Sequence, residues 1–277
     1  MVDDLLLTPA QHAIVGHLLA VALGAHIVGF LYFLGARERI APRYRVAPLL
    51  SMCVMAASGY LFYRLGSSWD AAFVREGERM VSSGNPFDGG LRYVNWLVTV
   101  PVLLVQLLFA FDLARERVLR LRVVLVASGL AMVGLGYVGQ FRLGTDTGWA
   151  LGWGTASTVP FVVLLAVLVP LLRSQAALMP EEAGRTTGHL VWVFLFFWGL
   201  YPLAYLAAAF SLSATTVITS QALFTLADIG SKVFYGVLLA KVLRLRSAAD
   251  GYGPAREPAD GAIGARPEDQ TYPGATR

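Results

Sequence analysis

The chain has 277 residues, of which 56% are hydrophobic and 14% charged, with a mean hydropathy of +0.61 and a formal net charge of +4. Soluble domains average about 25% charged residues, so this composition excludes an ordinary soluble fold and points to a chain dissolved in lipid. One cysteine, Cys53, excludes a disulfide framework. It lies inside an apolar run, where it is expected to be a small buried core residue.

Seven apolar segments follow in order, at about 10–35, 46–65, 91–111, 121–141, 149–172, 189–210 and 216–243, each bounded by charge, Gly or Pro. Runs of about 20 residues cross the roughly 30 Å hydrocarbon core as helices. Helices also satisfy every backbone polar group internally, which lipid requires. The expected fold class is therefore an all-α membrane protein, a bundle of seven transmembrane helices. The first segment follows Asp3 and Asp4, and is too long and too poor in basic residues to read as a cleaved signal peptide.

Arginines mark one side of the bundle. The first loop carries Arg37, Arg39, Arg43 and Arg45 against Glu38, and the third carries Arg115, Arg117, Arg120 and Arg122 against Asp112 and Glu116. Lys241, Arg244 and Arg246 close the last segment. The second loop holds Asp70, Glu76, Glu78 and Asp88 against Arg75 and Arg79, and the sixth holds no charge. The arginine-rich side is expected to be cytoplasmic, with the N-terminus outside and the C-terminus inside. These arginines read as topology signals, so no nucleic-acid partner is expected. The second loop, from Gly66 to Gly90, is long enough for a small extracellular hairpin. Residues 1–246 are expected to form the seven-helix domain. Residues 247–277, rich in Ala, Gly, Pro and charge, are expected to form a disordered cytoplasmic tail.

Ionisable residues within spans usually mark the working site. Asp228 and Lys232 lie four residues apart in the seventh segment, one turn apart on one helical face. That spacing fits a structural ion pair at a helix interface. It also fits a buried amine able to condense with an aldehyde. Arg92 and Asn95 open the third segment. His17 and His26, in the first, read as core or interface histidines, with His26 a candidate to face a neighbouring protomer.

Three motifs in order then resemble one family. Asp228-Ile229-Gly230-Ser231-Lys232 resembles the seventh-helix signature of the microbial rhodopsins. Arg92-Tyr93-x-x-Trp96-Leu97-x-Thr99-x-Pro101 resembles the third-helix signature, and Trp198-x-x-Tyr201-Pro202 the sixth. The resemblance implies a bundle of the bacteriorhodopsin type, with all-trans retinal as a Schiff base on Lys232 and Asp228 as its counterion. It also implies a retinal pocket. Trp96 and Trp198 would sandwich the polyene, with Thr99 on helix three and Tyr201, Pro202 and Tyr205 along helix six. Ser157, Thr158 and Phe161 would lie near the ring end. Gly154 stands where archaeal relatives carry a bulky tryptophan, which either relieves packing or opens a slot for a carotenoid antenna.

Proton-pumping members place carboxylic residues where this chain has Asn95 and Gln106, and neither amide accepts or donates a proton at physiological pH. The set Asn95, Thr99, Gln106 resembles the bacterial subgroup that pumps chloride inward. Sodium-pumping relatives carry Asn then Asp at the first two places, so Thr99 argues against that activity. A protonated Schiff base and Arg92 against Asp228 leave one positive charge unbalanced, which a chloride ion would neutralise. Asn95, Thr99, Arg92 and Ser58 are the candidate anion ligands, and Gln106 lies on the candidate transport path. The expected function is that of a light-driven transporter, not an enzyme, in the cell (inner) membrane, with lipid and chloride or other monovalent anions as partners and a homo-oligomer (trimer or pentamer) as assembly. A light sensor acting through a partner protein and a light-gated anion channel are the alternatives. No transducer domain is recognisable in the tail, which favours transport.

Overall fold

The computed structural model describes residues 5–253. Seven helices in it are long and apolar enough to cross a membrane. They are α1 (Pro9–Ala36), α2 (Val46–Ala72), α3 (Gly90–Leu108), α4 (Arg115–Gln140), α5 (Thr147–Ala176), α6 (Glu181–Ala209) and a seventh span built in three pieces. That span runs through α7 (Ala214–Asp228), a π-helical stretch (Ile229–Phe234) and α8 (Tyr235–Ala249). Each helix packs against the next, and α7 returns to α1, closing the ring. The chain is a multi-pass membrane protein built as a closed ring of seven spans.

Local chemistry starts the helices where it should. Thr8 caps α1, its hydroxyl accepting the Gln11 N–H at 3.2 Å while the Gln11 side chain accepts the Thr8 N–H at 2.9 Å, with Pro9 in the first turn. Asp146 caps α5 by accepting the Trp149 N–H at 2.9 Å, and this bond holds its carboxyl below the usual carboxylate range. Several helices outrun their apolar segments. α4 begins at Arg115 and α6 at Glu181, because polar helix formers carry the ladder on into the headgroup region after hydropathy has ended.

The second loop does fold as a hairpin. Strands β1 (Phe73–Glu76) and β2 (Arg79–Ser82) pair antiparallel around Gly77, whose φ of 59° suits the first position of a two-residue turn. Leu7 joins the edge, exchanging two backbone hydrogen bonds with Met80 and tying the chain start over that end of the bundle.

Burial follows the logic of a lipid solvent. Val21, Val28 and Trp192 are exposed to the outside of the bundle, while polar side chains such as Asn95, Thr99, Gln106 and Asp228 are buried within it. Three expectations need correction. Cys53 is exposed on the outer face of α2, since in lipid the outward side is itself apolar. His26, the candidate to face a neighbouring protomer, is instead fully buried inside the chain, against Phe62 and with Nδ1 2.7 Å from the Ala22 carbonyl, while His17 faces outward as an interface histidine would. The helix does not stop at residue 246. Ser247 is buried, donating to the Leu243 carbonyl at 2.7 Å and accepting the Ala41 N–H at 2.9 Å, and the helix continues to Ala249. These two bonds give Ser247 a structural place against the first loop. Residues 254–277 of the anticipated tail lie outside the described residues.

Candidate functional site

At the centre of the bundle Lys232 and Asp228 are buried and in direct hydrogen-bonded contact. Asp228 is the only buried carboxylate among the described residues. Three further donors reach it. Trp96 Nε1 and the Tyr201 hydroxyl each donate to Oδ1 at 2.9 Å, and Arg92 Nη1 approaches Oδ2 at 3.4 Å. Since the Tyr201 proton goes to Asp228, the Ser231 hydroxyl at 2.8 Å is the donor in its contact with Tyr201. Donors on helices α3, α6 and the seventh span therefore converge on one carboxylate.

The arginine is braced from its other side. Arg92 Nη2 donates to Gln221 Oε1 at 2.6 Å. Gln221 was not singled out in the sequence, although it sits seven residues before Asp228, two turns along the same helical face. Phe62 and Phe224 flank the guanidinium, with its carbon 5.6 and 5.4 Å from their ring centroids. Arg92 Nε is buried with no protein partner.

From Lys232 a cavity of about 270 Å³ runs between α3, α4, α5, α6 and the seventh span. Trp96 and Trp198 line it, as do Tyr201, Pro202 and Tyr205 from α6 and Ser157, Thr158 and Phe161 from α5. Phe161 stacks parallel to Trp198 at 6.5 Å, and Trp96 meets Tyr201 edge-on at 4.9 Å. Thr99 is fully buried but does not line the cavity, and its hydroxyl donates to the Asn95 carbonyl at 2.8 Å. Tyr93, Phe224 and Ser231 also line it; Tyr93 and Ser231 stand within the helix-three and helix-seven motifs, whereas Phe224 lies outside any motif and carried no signal of that role in the sequence. Gly154 lines the cavity and packs beside an aromatic ring. The ring of Tyr205 covers it so closely that an added Cβ would stand 2.9 Å from Cε1, and the Tyr205 hydroxyl anchors to the Ala150 carbonyl at 2.8 Å.

The amides flank this centre along α3. Ser58 donates to Asn95 Oδ1 at 2.9 Å. Gln106 lies eleven residues on, roughly 16 Å along the helix axis. Its Oε1 accepts from Ser51 at 3.2 Å, and its Nε2 is buried without a partner. Arg92 Nε, Gln106 Nε2 and Trp198 Nε1 are thus three buried N–H donors that no protein acceptor satisfies. Such donors are rare and call for a water or an anion. The structure joins Arg92, Asp228 and Lys232 in one buried ionic cluster, pairs Ser58 with Asn95 one turn along α3 from Arg92, and bonds Gln106 to Ser51 instead.

Comparison with known proteins agrees with this arrangement. The chain is similar to a bacteriorhodopsin of Haloterrigena sp. (strain arg-4), 24% identical over 76% of this chain and 81% of that one. It is also similar to archaerhodopsin-2 of Halobacterium sp. (strain aus-2), 27% identical over 85% and 86%. Among solved structures, it superposes on xanthorhodopsin, a light-driven ion pump with dual chromophore, with a TM-score of 0.83 and 30% identity over 90% of this chain and 99% of that one. A thermophilic rhodopsin superposes with a TM-score of 0.84, also at 30% identity, over 90% and 100%. The model of the bacteriorhodopsin-like proteins matches residues 13–245, which contain the buried lysine, its carboxylate and every wall of the cavity, and the chain belongs to that family.

Proposed function

We propose that this protein is a light-driven pump that moves chloride inward. Family membership implies retinal, and the site fits it. The cavity is aromatic, it includes the single lysine buried among the described residues, and two indoles, Trp96 and Trp198, line it. Bound covalently at Lys232 Nζ, retinal would supply light absorption and an isomerisation that redirects the N–H at that nitrogen.

The observation that carries the anion reading is a charge imbalance. Lys232 and Arg92 are both buried, and Asp228 is the only buried carboxylate near them. An uncompensated charge in a low-dielectric interior costs several kcal/mol even after relaxation. A bound anion removes that cost without adding a proton acceptor. Asn95 is the donor best prepared for it. Ser58 occupies its Oδ1, while its Nδ2 makes no hydrogen bond among the described residues. Thr99 would join by turning its hydroxyl away from the Asn95 carbonyl.

Asp228 accepts from Lys232, Trp96, Tyr201 and Arg92, so protonating it would forfeit several charge-assisted hydrogen bonds. It is thereby a poor acceptor for the Lys232 proton, and Asn95 cannot accept one. The positive charge stays at Lys232, and an anion held by it follows its reorientation. Gln106 Nε2, with no acceptor of its own, offers the next donor along α3. The path from Asn95 to Gln106 leads toward the arginine-rich face, the inward side by the positive-inside rule.

The test is light-induced pH change in expressing cells, with chloride or sulfate outside. Inward chloride transport makes the medium more alkaline through passive proton entry, only with chloride present, and a protonophore enhances the change. Outward acidification that a protonophore abolishes would overturn the proposal.

A further inference from the structure

The opening turns of α4 carry a second basic feature unrelated to the cavity. Arg115, Val118, Leu119 and Arg122 line one groove, and their spacing of three, four and seven places them on a single face of the helix. Arg115, Arg117, Arg120 and Arg122 have no carboxylate partner among the described residues. Asp112, the acid nearest in sequence on the loop side, is taken by Arg246.

Arg122 is the informative member. Its guanidinium carbon sits 5.3 Å from the Phe109 ring centroid, so the side chain is held in place, and its Nε is buried with no hydrogen-bond partner. It lies about 10 Å along the axis from Arg115, at seven residues of 1.5 Å. Arg122 therefore stands about two turns inside the membrane-spanning helix. Leu119 and Val123, 63% and 61% exposed, continue the outer surface as an apolar strip. A charged N–H at that depth without an acceptor is expensive, and water is scarce there.

We infer that this groove binds the phosphate of an anionic phospholipid from the surrounding leaflet. A phosphodiester supplies the acceptors that Arg122 and Arg115 lack, and the planar guanidinium matches it with paired N–H donors. Its acyl chains would lie over Leu119 and Val123. The committed occupant is a lipid, because a free phosphate would leave that apolar strip uncovered and would have to cross into a region poor in water. Basic pockets of this kind at the membrane face commonly read anionic headgroups.

The experiment uses the full chain with retinal bound, in nanodiscs of equal phosphatidylcholine and phosphatidylglycerol, and counts the lipids retained on ejection by native mass spectrometry. Wild type is expected to retain phosphatidylglycerol preferentially, and the double variant Arg115→Gln, Arg122→Gln to lose at least threefold of that preference. Arg185→Gln, which removes an exposed i,i+4 partner of Glu181, should match wild type and controls for loss of charge alone. Arg122→Lys keeps the charge without the fork and should retain part of the preference, with the visible absorption band reporting that each variant is folded. Equal retention of both lipids by wild type, or an unchanged preference in the double variant, overturns the assignment. So does displacement of the retained phosphatidylglycerol by excess inorganic phosphate, which would identify the groove as a free-anion site.

Discussion

Ser58 on α2 donates to Asn95 Oδ1 on α3 at 2.9 Å, which turns the Asn95 amide nitrogen away from Ser58. One hydroxyl therefore decides which end of the amide serves the polar centre. Without it, the amide is free to flip and present oxygen to the anion half of the time. Ser58→Ala should weaken chloride binding by roughly two- to tenfold, matching about 0.5–1.5 kcal/mol for one neutral hydrogen bond. A chloride titration followed by visible absorption reads this directly. An unchanged midpoint would show that Ser58 does not orient Asn95.

Chloride removal tests the charge imbalance. The positive charge at the Lys232 nitrogen is localised in the ground state of the pigment and spreads along the polyene on excitation. A nearby anion stabilises the localised form more, so exchanging chloride for sulfate should shift the visible band to the red. Asn95→Asp places a second carboxylate beside Lys232 and Arg92, balancing the two cations from within the protein. The spectrum of that variant should no longer respond to chloride. If wild type is equally indifferent from zero to molar chloride, no anion sits beside Lys232.

Lys232→Ala should give a protein that folds but stays colourless when retinal is added. Lys241, the other lysine, pairs with Glu182 at 3.2 Å and is partly exposed in the middle of α8, away from the cavity. The variant also leaves Asp228 facing Arg92 alone, so its chloride site should empty as the charge imbalance disappears. Recovery of a normal visible band would mean that another nucleophile carries the chromophore.

Gln221→Ala removes the 2.6 Å acceptor of Arg92 Nη2. A hydrogen bond to a charged group is worth about 1.5–3 kcal/mol, and Arg92 Nε already lacks a partner, so the guanidinium should loosen. Reversible unfolding in mixed micelles should show a destabilisation of about that size. A stability equal to wild type would indicate that water replaces Gln221 without penalty.

Seven spans, a small hairpin in the second loop, and the meeting of Lys232, Asp228, Trp96 and Tyr201 beside a cavity lined by Trp198 were all legible in the amino-acid sequence. Each rests on a signal local along the chain: apolar run length, loop composition, or a motif within one helix. Helix ends were less legible, because hydropathy records where apolar side chains stop, whereas the hydrogen-bond ladder of α4 and α6 continues through arginine and glutamate. Cys53 and His26 were misplaced for a related reason, since an apolar run in lipid does not say which side of its helix faces the core.

What only the tertiary structure decided are relationships between helices. Gln221 becomes the brace of Arg92 across 129 positions of chain, and the Asn95 amide is oriented by a serine 37 positions away. The Thr99 hydroxyl, expected to face the anion, is spent on the Asn95 carbonyl of its own helix. Gly154 meets the Tyr205 ring of the neighbouring helix α6. Local periodicity determines which residues share a face, but which donor meets which acceptor depends on how the faces of different helices pack, and that choice is made by the closed bundle as a whole.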